Sequence, residues 1–141
     1  APPPVEAAPV EGESGEPAPP DAWELARDAA RGGRIREALD LLAREAAVER
    51  SGRGRFLRRT QLASLCMETG NEAIAHSILD ELAAEIDSRR LEDWEPVEAV
   101  AHPLLLLYRC LRRQDSESPA AKALFARICR LDPGQALSVS R

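Results

Sequence analysis

Aromatic residues are scarce in this 141-residue chain: two Trp, two Phe and one Tyr make up 4% of it, and its 19 basic residues include only one lysine. So few rings leave the core to aliphatic side chains, and the place of each tryptophan becomes informative. No stretch approaches the roughly 20 apolar residues of a membrane span, and no basic-then-apolar leader precedes a small-residue cleavage site, so a soluble chain is expected. Cysteine is limited to Cys66, Cys110 and Cys129. They are odd in number, widely spaced and each set in an apolar helical pattern, which suits reduced core thiols and a cytoplasmic setting better than a disulfide framework. A net charge of −5 argues against nucleic acid as the main partner. Glycine-rich phosphate loops, zinc-ligand spacings and nucleophile elbows are missing as well, so no catalytic residue, metal or cofactor is expected.

Proline, in contrast, is concentrated. Residues 1–20, APPPVEAAPVEGESGEPAPP, hold seven of the eleven prolines, with Val5 and Val10 as the only sizeable apolar side chains. Such a segment cannot bury enough surface to offset its ordering entropy, and it reads as an acidic linker. A linker in first position and a chain that begins without methionine suggest a C-terminal piece of something longer.

From residue 21 to 141 the signal is helical, because strand formers are few and apolar residues recur at three- and four-residue steps. DAWELARDAARGG predicts a first helix with Asp21 as N-cap, Glu24 completing a capping box and Gly32–Gly33 as terminator. RIREALDLLAREAAVER predicts a second, with Ile35, Leu39, Leu42 and Ala46 on one face. A third begins at Arg55 after SGRG, with Phe56, Leu57, Leu62, Leu65 and Cys66 as its stripe, and stops at Gly70. The fourth runs from Asn71 to Arg90 with Ile74, Ile78, Leu82 and Ile86 inward. A fifth spans about Pro96 to Arg113, and a sixth starts at Pro119 behind Ser118 as cap. DPGQALSVSR begins a further short turn.

Laid on one another with an offset of 37, the first two helices match the next two: Leu25-Ala26 falls on Leu62-Ala63, Gly33 on Gly70, Ala38 on Ala75 and Leu41-Leu42 on Ile78-Leu79. A glycine between paired helices permits a tight turn, and the period is near that of tetratricopeptide units. The expectation is an all-α bundle of about six helices arranged as antiparallel, tetratricopeptide-like αα-hairpins.

Four places invite a functional reading. His76 and Asp80 are spaced i, i+4, but two ligands without a third make a weak metal site. His102 has no cysteine or carboxylate constellation in the sequence around it. The arginines Arg50, Arg53, Arg55, Arg58 and Arg59 could bind phosphate, but a solvated helix start or a contact with an acidic neighbour is the favoured reading over nucleic acid. Leu104, Leu105, Leu106 and Leu107 sweep about 300° of a helix, so with Tyr108 they are either central to the bundle or partly turned to a neighbouring copy. At the joint RRLEDWEPVEAV, Arg89 and Arg90 suit a helix C-terminus, Asp93, Glu95 and Glu98 suit a helix start, and Trp94 is expected to pack with Leu91 into the joint.

The order of these features from Arg55 to Arg113, RFLRRTQLASLCMETGNEAIAHSILDELAAEID, then RRLEDWEPVEAV, then a helix ending LLYRCLRR, with LFARICRLDPGQAL downstream, resembles the C-terminal domain of the TssA proteins of bacterial type VI secretion systems. This is the VasJ-like group whose N-terminal region is ImpA-related, and the resemblance covers about residues 53–137. It implies a cytoplasmic, non-enzymatic scaffold that forms ring-like homo-oligomers and works with baseplate, tube and sheath proteins. A monomeric tetratricopeptide-like adaptor that binds peptide segments is the alternative. Arg55, Arg58, Arg59, Arg89, Arg90, Asp93, Trp94, Glu95, Leu104 to Leu107 and Tyr108 are the candidate contact residues.

Overall fold

The computed structural model describes residues 21–140, and the expected linker over residues 1–20 lies outside them. Those residues form seven α-helices and one short 3-10 turn: α1 (Ala22–Arg31), α2 (Ile35–Val48), α3 (Gly52–Glu68), α4 (Glu72–Arg89), the turn Leu91–Asp93, α5 (Val97–Gln114), α6 (Pro119–Leu131) and α7 (Pro133–Leu137). The last of these is the short turn expected after Leu131, opened by Asp132, whose carboxylate accepts from the Gln135 N–H as its N-cap.

Caps decide most of the boundaries. Asp21 accepts a hydrogen bond from the Trp23 N–H at 3.0 Å, and Ser118 accepts from Ala121 N–H at 3.0 Å with Pro119 in the first helical position. Gly33 and Gly70, the paired glycines of the internal repeat, both take positive φ, +84° and +79°, a conformation costly for side chains with a Cβ. One boundary differs from expectation. Helix α3 starts at Gly52 rather than Arg55, because the Ser51 hydroxyl accepts from Gly54 N–H at 2.9 Å and so pays for glycines that disfavour a helix interior.

Each helix packs on its successor, and α5 also packs on α3, α7 and the turn at its own start. Burial follows the repeat: Ala26 and Ala63, Ala38 and Ala75, Leu42 and Leu79 are all sealed from solvent. In α4 the inward face is Ala75, Leu79, Leu82 and Ile86, and Ile74, expected inside, is half exposed. In α3, Leu57 is likewise exposed while Ala63 is buried. Both errors have one cause, since a stripe of large residues is one position out of phase with a stripe of small ones that lets helices approach closely.

Helix α5 is the centre of the larger core. Leu104, Leu105, Leu106 and Leu107 are 1%, 4%, 3% and 6% exposed, and Tyr108 is buried with its ring 5.5 Å from that of Phe125. Contacts from α3, α4, α6 and α7 cover the part of the helix that carries these five residues, so they are interior to the protomer. That corrects their place among the candidates for contact with a neighbouring copy. Burial pushes the thiols of Cys66 and Cys110 up from their ordinary value, away from thiolate reactivity.

Candidate functional site

The turn between α4 and α5 is where helical phase is lost. Arg90 ends α4 in the left-handed region at φ +53°, and Leu91–Asp93 follow as a 3-10 turn. Leu91 packs against the core, but Trp94 is 75% exposed. The expectation that Trp94 packs into the joint is therefore wrong. Periodicity carries no phase across a non-helical joint, and only one of the two apolar side chains finds a neighbour within the protomer.

Beside this turn lies a groove of about 630 Å³, within the ~300–1,000 Å³ typical of binding clefts. The first half of α3 supplies one wall, with Arg53, Phe56, Leu57 and Thr60. The end of α4 supplies Glu85 and Arg89, and the start of α5 supplies Glu98, Ala99 and His102. Leu91, Pro96 and Gln135 of α7 complete it. Arg53 Nε and Glu95 Oε1 pair at 2.9 Å along one edge, and Arg89 Nη1 and Glu85 Oε2 approach to 3.5 Å. Pro103, within α5, has no N–H to donate to the carbonyl of Ala99 one turn back, so this groove residue lacks its usual helical donor.

Of the seven large apolar side chains left exposed among the described residues, Leu57 lines the groove, while Trp94, Val97 and Leu137 are only neighbours in sequence of lining residues. Exposed apolar groups scattered singly need no explanation, but a concentration beside a concave surface marks a contact site. His102, whose pKa is lowered by burial and then by the nearby charge of Arg109, is held neutral as part of this apolar lining.

Most of the predicted arginine contacts are satisfied inside the protomer. Arg58, 13% exposed in its side chain, donates to Asp21 at 2.9 Å, Glu49 at 3.3 Å and Gln61 at 3.0 Å, tying α1 and the end of α2 to α3. Arg59 pairs with Glu81, Arg90 with Asp93 at 3.2 Å, and Arg55 donates to the Glu49 carbonyl at 3.3 Å. The acidic neighbour expected for this arginine run is largely this chain's own. Arg55, Arg59 and Arg89 also line a smaller depression of about 310 Å³ adjoining the groove.

The structure thus places Arg89 and Glu95 in the lining of one groove, leaves Trp94 exposed next to Glu95 in sequence, and removes the leucines from the site. Sequence reasoning missed Thr60, Ala99, His102 and Gln135 as parts of one surface, and only Pro103, a helix-interior proline after a histidine, gave a local signal of it. His76 Nε2 lies 3.5 Å from Asp80 and its Nδ1 lies 3.0 Å from Gln114, and no cluster of three metal-ligating side chains occurs among the described residues.

The Arg58 clamp carries a pH dependence. The hydrogen bond from Arg58, with a smaller one from the Trp23 N–H, lowers the Asp21 carboxyl below its ordinary value. A depressed carboxyl contributes stability above its unfolded pKa, ~3.9, and that stability is lost as pH falls through the lower folded value. Arg58→Gln is expected to cost about 1–2 kcal/mol at neutral pH, discounted for the half-exposed Asp21, and to flatten the acid limb of stability measured by urea unfolding between about pH 5 and 2.

No helix among the described residues is long and apolar enough to cross a membrane. The family model described as "Type VI secretion, EvfE, EvfF, ImpA, BimE, VC_A0119, VasJ" matches residues 3–125. The match reaches further upstream than the resemblance read at residues 53–137 and stops within α6, short of Leu131-Asp132-Pro133. None of the curated proteins and none of the solved structures matches the chain.

Proposed function

Because the chain belongs to the VasJ family of type VI secretion proteins, we propose that it is a non-enzymatic scaffold that assembles into a ring-like homo-oligomer in the bacterial cytoplasm. There it organises baseplate, tube and sheath components. The observation that carries this reading is the exposed indole of Trp94 beside an apolar groove that ion pairs edge but do not fill. A ring needs two complementary surfaces on each protomer. The groove with Leu57, Trp94, Val97 and Leu137 supplies one, and many copies then let weak contacts hold a large partner. The paired glycines and matched buried positions of the repeat support an antiparallel, tetratricopeptide-like arrangement of the first four helices.

A second reading has its own support. The apolar walls, with Ala99 lacking the helical donor that Pro103 cannot supply, suit a peptide segment of a partner, as in a monomeric adaptor. Light scattering separates the two. The ring reading expects a mass several times the 15.4 kDa protomer, and a monomer at micromolar concentration would sink it.

A further inference from the structure

A second concavity, of about 450 Å³, lies at the other end of α5, walled by Arg109, Arg112, Arg113, Tyr108 and Val139, and no carboxylate lines it. We propose that the exposed turn Glu92 to Glu95 of a second copy of this chain docks there, with Trp94 in the pocket and its flanking acids against the arginines. The inference rests on the assembly proposed above and supplies the other of the two surfaces that each protomer needs. The helix macrodipole accounts for Arg112 and Arg113 in the last turn of α5, but not for Arg109 a turn earlier. Arg113 pairs with Glu72, whereas neither Arg109 nor Arg112 has a carboxylate within 4.0 Å among the described residues. Arg112 is already held, donating to Tyr108 Oη at 3.0 Å with its guanidinium 6.0 Å from the centre of that ring, so it enters a contact partly ordered.

The chemistry of the turn is complementary. Residues 91–98, LEDWEPVE, hold four acids and no base around an indole that is 75% exposed. Glu92 and Asp93 are exposed beside it. Their pairing with Arg127 and Arg90 does not exhaust them, because a carboxylate offers about four acceptor sites. Arg127 is moreover shared with Asp87, and Glu98 has no cation within 4.0 Å among the described residues. Of the aromatic faces, indole attracts guanidinium groups most strongly. Trp and Arg are also the side chains that most often dominate an interface.

Geometry requires the two halves of the contact to come from different molecules. Helix α5 runs unbroken from Val97 to Gln114, and Val97 and Arg109 stand ~18 Å apart along its axis at ~1.5 Å per residue. Trp94 lies before Val97, so the indole and the pocket of one protomer are held apart by the helix between them. Two different surfaces then meet, and such a head-to-tail contact passes from copy to copy, closing into a ring where the rotation allows.

The test mixes two full-chain variants, each lacking one half of the contact. Arg109→Glu with Arg112→Glu reverses the two unpaired charges of the pocket, and Trp94→Ala removes the indole. All three side chains are exposed, so circular dichroism should show wild-type helicity in both variants. By light scattering each variant alone should fall to protomer mass at concentrations where the wild type is assembled. Mixed, they should pair one to one and stop at twice the protomer mass, since the first keeps its turn and the second its pocket. High salt should dissociate that pair. A wild type that assembles while either variant does so equally well overturns the head-to-tail contact and leaves the scaffold reading standing. A mixture that stays at protomer mass overturns it too, and a monomeric wild type removes both.

Discussion

Replacing Leu104 by aspartate should leave the chain unfolded at neutral pH. Leu104 is 1% exposed on the helix that every other element of the larger core touches. Truncating such a leucine to alanine costs about 2–5 kcal/mol. A carboxylate in its place adds a desolvation penalty inside an apolar cluster. Set against a net stability of roughly 5–15 kcal/mol for a domain, the sum is enough to abolish folding. Loss of the helical circular dichroism signal is the expected result, with Leu104→Ala folded but less stable to urea. If instead Leu104→Asp keeps its helicity and only its assembly shrinks, the residue faces a neighbouring copy and the placement of α5 is wrong. The same logic makes Leu105, Leu106 and Leu107 unsuitable as assembly mutants, although their run of four is what first suggests an interface.

Trp94→Ala should do the opposite. At 75% exposure the indole has little to lose on folding, so stability should change by no more than about 0.5 kcal/mol. Assembly should suffer heavily, since tryptophans seated in a partner's surface are frequent hot spots worth about 2–4 kcal/mol, or roughly 30- to 1,000-fold in dissociation constant. Light scattering over a dilution series gives the readout, with the variant falling to protomer mass at concentrations where the wild type remains assembled. Leu57→Ser, on the facing wall and 51% exposed, should weaken assembly in the same direction by a smaller factor. A ring from Trp94→Ala as stable to dilution as the wild type removes this surface from the interface. A large drop in folding stability would mean that the indole is buried after all.

The contrast between these two residues shows what could be read in advance. Capping chemistry is local, so Asp21, Ser118 and the glycine pair Gly33 and Gly70 mark helix ends in the sequence alone. The internal repeat was legible too, because Ala38 and Ala75 or Leu42 and Leu79 must satisfy the same packing at the same place in each unit. Helix α4 shows the limit: Ile74 and Ile78 make a plausible stripe, yet close helix approach selects Ala75 and Leu79. Likewise the Arg run was visible, but its acids, Asp21, Glu49 and Glu81, come from three other segments.

Sequence by itself determined that this chain is helical, where most of its helices begin and end, that its first four repeat a pattern, and which family it resembles. Each of these depends on torsional preference, hydrogen bonding within a turn, or the order of residues along the chain. Tertiary structure alone decided that Leu104 to Leu107 point inward, that Trp94 points outward, and that Arg58 is a clamp. It alone brought Phe56, His102 and Gln135 to one groove. A groove is the space left where elements distant in sequence fail to touch, and a side chain at a joint faces whichever way its neighbours leave room. Neither is encoded in any local window, because both depend on the relative placement of helices that only packing sets.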